Sequence, residues 1–214
     1  MPVKLTSCGE TEFTCDDGQC VAMGARCDQV ANCRDKSDEA GCRMVVLDQS
    51  YKKKVAPFRV DLGQEPQEGR TYPAEVNVSA RIKEVVSIAE VDMELEVKVV
   101  MVMEWLDYRL KFHNLKMLKE ANMLSVEEVE AIWTPYVVFE NTKYSEGTEV
   151  DDRSHLSVLR RGRFTRSGRD VVEEIYIFPG SENPITFEAI YTKKFSCNYQ
   201  LALYPFDTQV HALH

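Results

Sequence analysis

Six of the seven cysteines fall between positions 8 and 42, at 8, 15, 20, 27, 33 and 42, and no other feature constrains the chain so strongly. A segment that short cannot bury enough apolar surface to hold itself together, so clustered, even-numbered cysteines signal a disulfide framework and an oxidising compartment. Zinc is the other use of many thiols, but it expects close C-x2-C or Cys/His pairs, and the stretch has none. Spacing alone leaves the pairing of Cys8, Cys15, Cys20, Cys27, Cys33 and Cys42 open.

The same stretch is acidic. Eight acids (Glu10, Glu12, Asp16, Asp17, Asp28, Asp35, Asp38, Glu39) face three bases (Arg26, Arg34, Lys36), a net charge of −5. So much like charge in so few residues repels itself unless a cation neutralises it. Asp28, Asn32, Asp38 and Glu39 share one short loop between cysteines, with Asp35 interleaved. A hard cation takes six or more oxygens, so clustered carboxylates and backbone carbonyls suit Ca²⁺. A solvated acidic loop without metal is the plainer alternative, but a small fold without a core needs such staples.

The 214 residues leave room for one ordinary domain beside this small unit. A formal charge of −9 excludes a nucleic-acid partner, which wants a basic face. The longest apolar run is Val99 to Met103, far short of the ~18 residues that span a membrane. The first residues are too few and too polar for a signal peptide. The expectation is a chain on the extracellular side of the plasma membrane, or secreted, with no transmembrane segment of its own.

Composition changes along the chain. After the cysteine unit at 8–42, residues 43–73 read as a linker, polar and rich in turn formers, with Tyr51-Lys-Lys-Lys and Gly63-Gln-Glu-Pro-Gln-Glu-Gly69. Residues 74–214 hold both tryptophans and most of the other aromatics, and so the larger core. Val76, Val78, Ala80 and Ile82 alternate with mostly polar neighbours, and the run from Val91 through Met93, Leu95, Val97, Val99 and Met101 to Met103 keeps the same period. Period two puts one face on a core and the other in water. Ser125 with Glu128 predicts a capping box and a short helix whose Val126, Val129 and Trp133 share a face. Further strands are expected over 156–164, 173–179, 186–196 and 198–204, with a turn at Pro179 to Pro184. The predicted fold class is mostly β: a small disulfide-rich calcium module, then an incomplete immunoglobulin-like β-sandwich with a short helix.

The run Cys8…Phe13-Thr-Cys15…Cys20-Val21…Cys27-Asp28…Asn32-Cys33…Ser37-Asp38-Glu39…Cys42 resembles the low-density-lipoprotein receptor class A module along its whole length. The resemblance implies the pairs Cys8–Cys20, Cys15–Cys33 and Cys27–Cys42. It implies Ca²⁺ held by the side chains of Asp28, Asn32, Asp38 and Glu39 and the carbonyls of Ala25 and Val30, with Asp35 a structural acid. Asn32 stands where the family usually has Asp, which removes a negative charge and weakens binding. Ala25 replaces the usual aromatic residue that packs on a partner's lysine stem.

The second unit resembles the extracellular domain of Cys-loop pentameric ligand-gated channels. Trp105-Leu-Asp107-Tyr-Arg109-Leu110 looks like the family's W-x-D-x-R-L, and Ile132-Trp133-Thr-Pro135 with Asn141-Thr-Lys143 like its W-x-P-D…N segment. Cys197 through Tyr204, Pro205, Phe206 and Asp207 to Gln209 looks like the Cys-loop. The resemblance implies a small extracellular ligand, a pentamer with other subunits in the full-length protein, and a Tyr204-to-Asp207 turn that passes the binding signal to a pore. Asp107 and Arg109, two apart and so on the same face of a strand, are expected to pair there. Val100 and Glu140 occupy places where many receptors line an agonist box with aromatics, so a cage for a cationic transmitter is not supported. His211 stands where the second loop cysteine belongs, so Cys197 is expected to be unpaired. The resemblance is truncated at the loop, either because this member has lost the bridge or, the preferred reading, because the last few residues are read from beyond a true exon edge. Arg160, Arg161, Arg163, Arg166 and Arg169 form a basic stretch, expected to be a solvated edge, with a seat for an anionic ligand or acidic partner as the alternative. The acidic module suits a basic protein partner. The alternative to a channel subunit is a soluble secreted ligand- or protein-binding protein. No nucleophile motif is present, and no enzyme is expected.

Overall fold

The computed structural model describes residues 7–9, 11–59, 72–142, 154–163, 165–166, 176–197 and 199. Two antiparallel ribbons join β1 (Glu12–Thr14) to β2 (Cys20–Ala22) and β4 (Phe58–Arg59) to β5 (Tyr72–Pro73). One four-stranded sheet takes β3 (Val45–Leu47), β8 (Leu110–His113), β10 (Thr165–Arg166) and β11 (Tyr176–Pro179) in the order β10-β11-β8-β3. A second takes β6 (Val76–Ala89), β7 (Glu94–Trp105), β9 (His155–Val158) and β12 (Ile185–Ser196) in the order β6-β7-β12-β9. The one α-helix among the described residues is α1 (Val126–Ala131). The fold is mostly β, a sandwich with little helix, and the chain divides into two compact units.

The first unit comprises residues 1–75, 105–133 and 156–186. Its core is made by Trp105, Leu110, Phe112, Ile132, Val158, Phe178 and Ile185, all at most 1% exposed, with Trp133 set edge-on to Trp105 at 5.9 Å. Ser125 caps α1 as its sequence predicts. Its hydroxyl accepts from Glu128 N (3.3 Å) and its own amide donates to Glu128 Oε2 (2.9 Å). The other carboxylate oxygen of Glu128 accepts the amides of Met44 (2.7 Å) and Val45 (2.9 Å), at the start of β3. The stretch 43–73 thus contributes a strand to the sheet. The turn between β11 and β12 needs Gly180. A Cβ there would lie 2.2 Å from the Asp107 carbonyl oxygen and 2.8 Å from that of Leu110, the acceptor of the Gly180 amide. The strand expected over 156–164 stops at Val158. Beyond it the Leu159 amide goes to Pro184 O (2.9 Å), and those of Arg161 (3.0 Å) and Gly162 (3.1 Å) go to Asn183 Oδ1, leaving no ladder to extend.

The second unit comprises residues 76–104, 134–155 and 187–214. Val97, Val99 and Phe195 form its core, with Leu95, Met101 and Phe139 packed against them. The period-two run starts at Glu94 rather than Val91. Val91 is 95% exposed and Met93 takes a φ of 53°, because residues 90–93 make the turn between β6 and β7. The expectation of a buried face on 76–82 fails more fully. Asn77 through Ile88 are all exposed, Val78 and Ile82 at 56% each. β6 is an edge strand, and alternation marks a face that a second layer could cover without supplying that layer. Its contact with β7 includes Lys98 to Glu84 (2.9 Å) and Ser87 to Glu96 (3.1 Å). Of the strands expected at 173–179 and 198–204, only 176–179 and Tyr199 fall among the described residues.

Candidate functional site

The cysteine unit closes through Cys8–Cys20, Cys15–Cys33 and Cys27–Cys42, the pairing that the module resemblance implies. Phe13 faces Val21 across the β1–β2 ribbon. The Arg26 guanidinium lies 4.4 Å from the Phe13 ring centroid and donates to the carbonyls of Ser37 (2.7 Å), Asp38 (2.8 Å) and Ala40 (2.9 Å), bracing the loop from inside. Left-handed residues at Cys27 (φ 56°), Gln29 (69°) and Lys36 (61°) turn the acidic loop sharply. Asp35 accepts the amides of Asp17 (2.7 Å) and Ser37 (3.0 Å), so it spends its oxygens on loop backbone. Hydrogen bonds from the Ser37 side chain and amide hold its carboxyl below the usual carboxylate value.

The four side chains singled out from sequence are tied together through the backbone of this loop, although the carboxylates of Asp28, Asp38 and Glu39 do not close on one another as a single cluster. Glu39 Oε1 accepts the Asp28 amide (2.8 Å), Asp28 Oδ1 accepts the Val30 amide (2.9 Å), and Asp38 Oδ2 accepts the Asn32 amide (2.6 Å). Asp38 is fully buried, yet its Oδ1 has no hydrogen-bond partner. Burial pushes the Asp38 carboxyl up, but the amides of Asn32 and Cys33 outweigh it, and the group sits below its ordinary value, ionised. A buried carboxylate oxygen left unpaired costs about 1–3 kcal/mol or more, and a bound cation would remove that penalty. Asn32 opposes this in part. Its Nδ2 donates to the Val30 carbonyl (2.8 Å) and to Asp28 Oδ1 (3.3 Å), two oxygens of the expected ligand set. A cation between them requires the amide turned so that its oxygen faces inward. Ala25 closes the short turn Met23–Ala25 beside the loop, and Val30 is 58% exposed. With Asn32 so turned, these side chains and carbonyls would offer oxygen alone, the donor chemistry that Ca²⁺ takes.

Sequence reasoning missed Lys116. It follows β8, and its Nζ donates to the carbonyls of Gly24 and Arg26, both at 2.7 Å. Desolvation lowers its pKa, against the pull of the Asp28 and Glu39 charges. Nothing local in the sequence marks it.

Elsewhere in the first unit, Asp107 is 1% exposed and takes three bonds from Arg109, Nε to Oδ1 (2.8 Å), NH2 to Oδ2 (2.7 Å) and the backbone amide to Oδ1 (3.1 Å). The pair sits in the turn after β7, not along a strand face as its two-residue spacing suggested. Tyr51 completes it, donating to Asp107 Oδ2 (3.1 Å), accepting from the Trp133 amide (2.9 Å) and lying under the Arg109 guanidinium at 4.5 Å. Of the arginines at 160–169, Arg160 is not a solvated edge. It covers Phe178 at 4.8 Å and donates to Leu115 O (3.1 Å), while Arg161 and Arg163 are exposed. The side chains of Arg166 and Arg169 lie outside the described residues.

In the second unit Val100 is buried and Glu140 exposed, so neither helps line an aromatic box. Phe139 instead stacks edge-on against Tyr191 (5.4 Å) and Phe195 (5.8 Å) as core. Cys197 forms no disulfide, and its amide donates to Met93 O (2.8 Å). Burial, with the neighbouring Cys197 thiol, pushes Tyr199 up to about 12, and its hydroxyl donates to Glu94 O (3.1 Å). Tyr204, Pro205, Phe206, Asp207 and His211 lie outside the described residues.

Two family descriptions match the chain. Low-density lipoprotein receptor domain class A covers residues 6–42, and neurotransmitter-gated ion-channel ligand binding domain covers residues 44–213. SCO-spondin of Gallus gallus is 57% identical over 35 residues, 16% of this chain and 1% of that protein. Low-density lipoprotein receptor-related protein 8 of Homo sapiens is 53% identical over 32 residues, 15% of this chain and 3% of that protein. A glutamate-gated chloride channel of Drosophila melanogaster is 22% identical over 173 residues, 78% of this chain and 32% of the channel. The chain therefore spans about a third of the channel it resembles and a few per cent or less of the module-bearing relatives.

Proposed function

Because the chain belongs to the neurotransmitter-gated ion-channel ligand-binding domain family, with a low-density lipoprotein receptor class A module ahead of that domain, we propose that it is the ligand-sensing part of a channel subunit whose module is set by calcium. The family is a class of ligand-gated channels rather than of enzymes, and its ligand-binding domains face the extracellular side. No helix among the described residues is long and apolar enough to cross a membrane. In this reading residues 8–42 are the module and 74–214 the sensing domain, with 43–73 joining the two and lending β3 to the sheet of that domain. That domain takes a small extracellular ligand and assembles with other subunits, and Tyr204, Pro205, Phe206 and Asp207 form its coupling turn. The acidic module is the seat for a basic side chain of a protein partner.

Calcium is the part that this chain's residues argue most directly. Asp28, Asn32, Asp38 and Glu39 would hold it by their side chains, Ala25 and Val30 by their carbonyls, and it would supply the charge that neutralises the loop. The observation that carries this is the fully buried, unpaired Oδ1 of Asp38. A cation bound only by the folded state stabilises it by RT ln(1 + [L]/Kd), about 2.7 kcal/mol at a hundredfold excess over Kd. Calorimetry of the whole chain with Ca²⁺ tests it. The unmodified chain should give binding heat, Asp38→Ala should abolish it, and Asn32→Asp should tighten it by adding charge and removing the Nδ2 donor. Absence of heat at millimolar Ca²⁺ would refute the calcium assignment.

A further inference from the structure

Lys116 is held unusually firmly for a lysine in a loop. Its backbone amide donates to Asn122 Oδ1 (2.7 Å), and Asn122 Nδ2 donates back to the Lys116 carbonyl (2.9 Å) and on to Val158 O (3.0 Å). Asn122 is completely buried, so both sides of the Lys116 peptide are pinned from within the first unit. The side chain leaves this fixed base and sets its ammonium on two carbonyls of the cysteine module, Gly24 and Arg26, each at 2.7 Å. Those carbonyls flank Ala25, the place where the module family carries the aromatic that packs on a partner's lysine. Beside them opens a cavity of about 150 Å³ lined in part by Lys116, Arg26, Cys27, Gln29 and Glu39. A half-buried ammonium needs acceptors and counter-charge, and the module supplies both.

We propose that Lys116 occupies in cis the seat that a basic partner would take on the module's acidic face, so that the chain guards its own docking site. The proposal rests on the partner reading above and adds its regulation. A tethered group competes at an effective concentration in the millimolar range, which a partner presenting one lysine of modest affinity does not match. Only a partner with several basic groups, or a movement of residues 114–118, opens the seat. The missing aromatic at Ala25 fits this arrangement, since a lysine delivered by a pinned backbone needs no ring to orient its stem.

A fluorescein-labelled pentalysine peptide, read by fluorescence anisotropy on the whole chain at low ionic strength with Ca²⁺ present, tests the idea. Lys116→Gln should bind the peptide about tenfold or more tighter than the unmodified chain, by removing the internal competitor. Lys116→Arg, which keeps charge and donors, should restore the weaker binding. Lys119→Gln removes the same charge from the neighbouring turn and should leave affinity within about twofold. Equal binding by the unmodified chain and Lys116→Gln would overturn the cis competition while leaving the acidic docking face standing. Equal tightening by Lys116→Gln and Lys119→Gln would reduce the effect to net charge and overturn it too. No binding by any variant would overturn both the competition and the docking face.

Discussion

Tyr51 shows how much one hydroxyl can organise. It donates to Asp107 and accepts the Trp133 amide, joining two stretches of chain to a third. Burial first, and the Asp107 charge with it, push its pKa from 10.0 to about 12, against the Trp133 amide and the Arg109 charge. A phenol whose folded pKa is raised adds stability that is fully present below its unfolded value and is lost as pH rises from 10 towards 12. Tyr51→Phe should therefore cost about 1–3 kcal/mol near neutrality, by leaving the Trp133 amide without its acceptor and Asp107 short of a donor. It should also flatten the loss of stability over that alkaline window. Chemical denaturation at several pH values measures both, and an unchanged pH slope would show that the alkaline loss comes from elsewhere. The sequence reading pairs Asp107 with Arg109 because the two are near neighbours. Tyr51 stands 56 residues from Asp107 in a polar stretch that reads as linker, so no local pattern marks it. Lys116 escapes notice for the same reason, since its acceptors are backbone carbonyls that carry no sequence signature.

At the scale of elements, α1 was legible because a capping box is local: Ser125 and Glu128 stand three apart and need nothing else. The second use of Glu128 is not local. One oxygen finishes the helix and the other holds Met44 and Val45, tying β3 to a six-residue helix. The two roles separate by mutation. Ser125→Ala should cost about 1 kcal/mol and affect the helix start alone. Glu128→Ala should cost more and release β3 as well. Amide hydrogen exchange at Met44 and Val45 should accelerate in Glu128→Ala and stay slow in Ser125→Ala; equal rates in the two variants would mean that the carboxylate does not secure the strand. β6 marks the opposite limit. Its alternation predicts a strand correctly and burial wrongly, because periodicity reports the pleat of a strand and says nothing of whether another layer lies over it.

Across the whole molecule, fold and family were legible from two kinds of signal that survive at low identity: cysteine spacing in the module, and ordered tryptophan-bearing signatures in the sandwich. The seam between these regions was the illegible part, since it is built from long-range bonds to backbone. That seam also implies an order of events as the chain matures. The disulfides span separations of 12, 18 and 15 residues, whereas Glu128 reaches back 84 to Met44. Closing a longer loop costs more entropy, and a chain made from its N-terminus offers the module's partners first. The module should fold early and the strand that follows it should lock late. Pulsed amide labelling during refolding of the disulfide-intact chain should therefore protect Cys15 and Cys27, whose amides bond to Gln19 O and Asp38 O, before Met44 and Val45. Simultaneous protection would make module and strand one cooperative unit. In the expected order, the newly made chain passes through a stage in which a finished acidic module hangs from an unpaired strand, and Lys116 reaches its seat only when that stage ends.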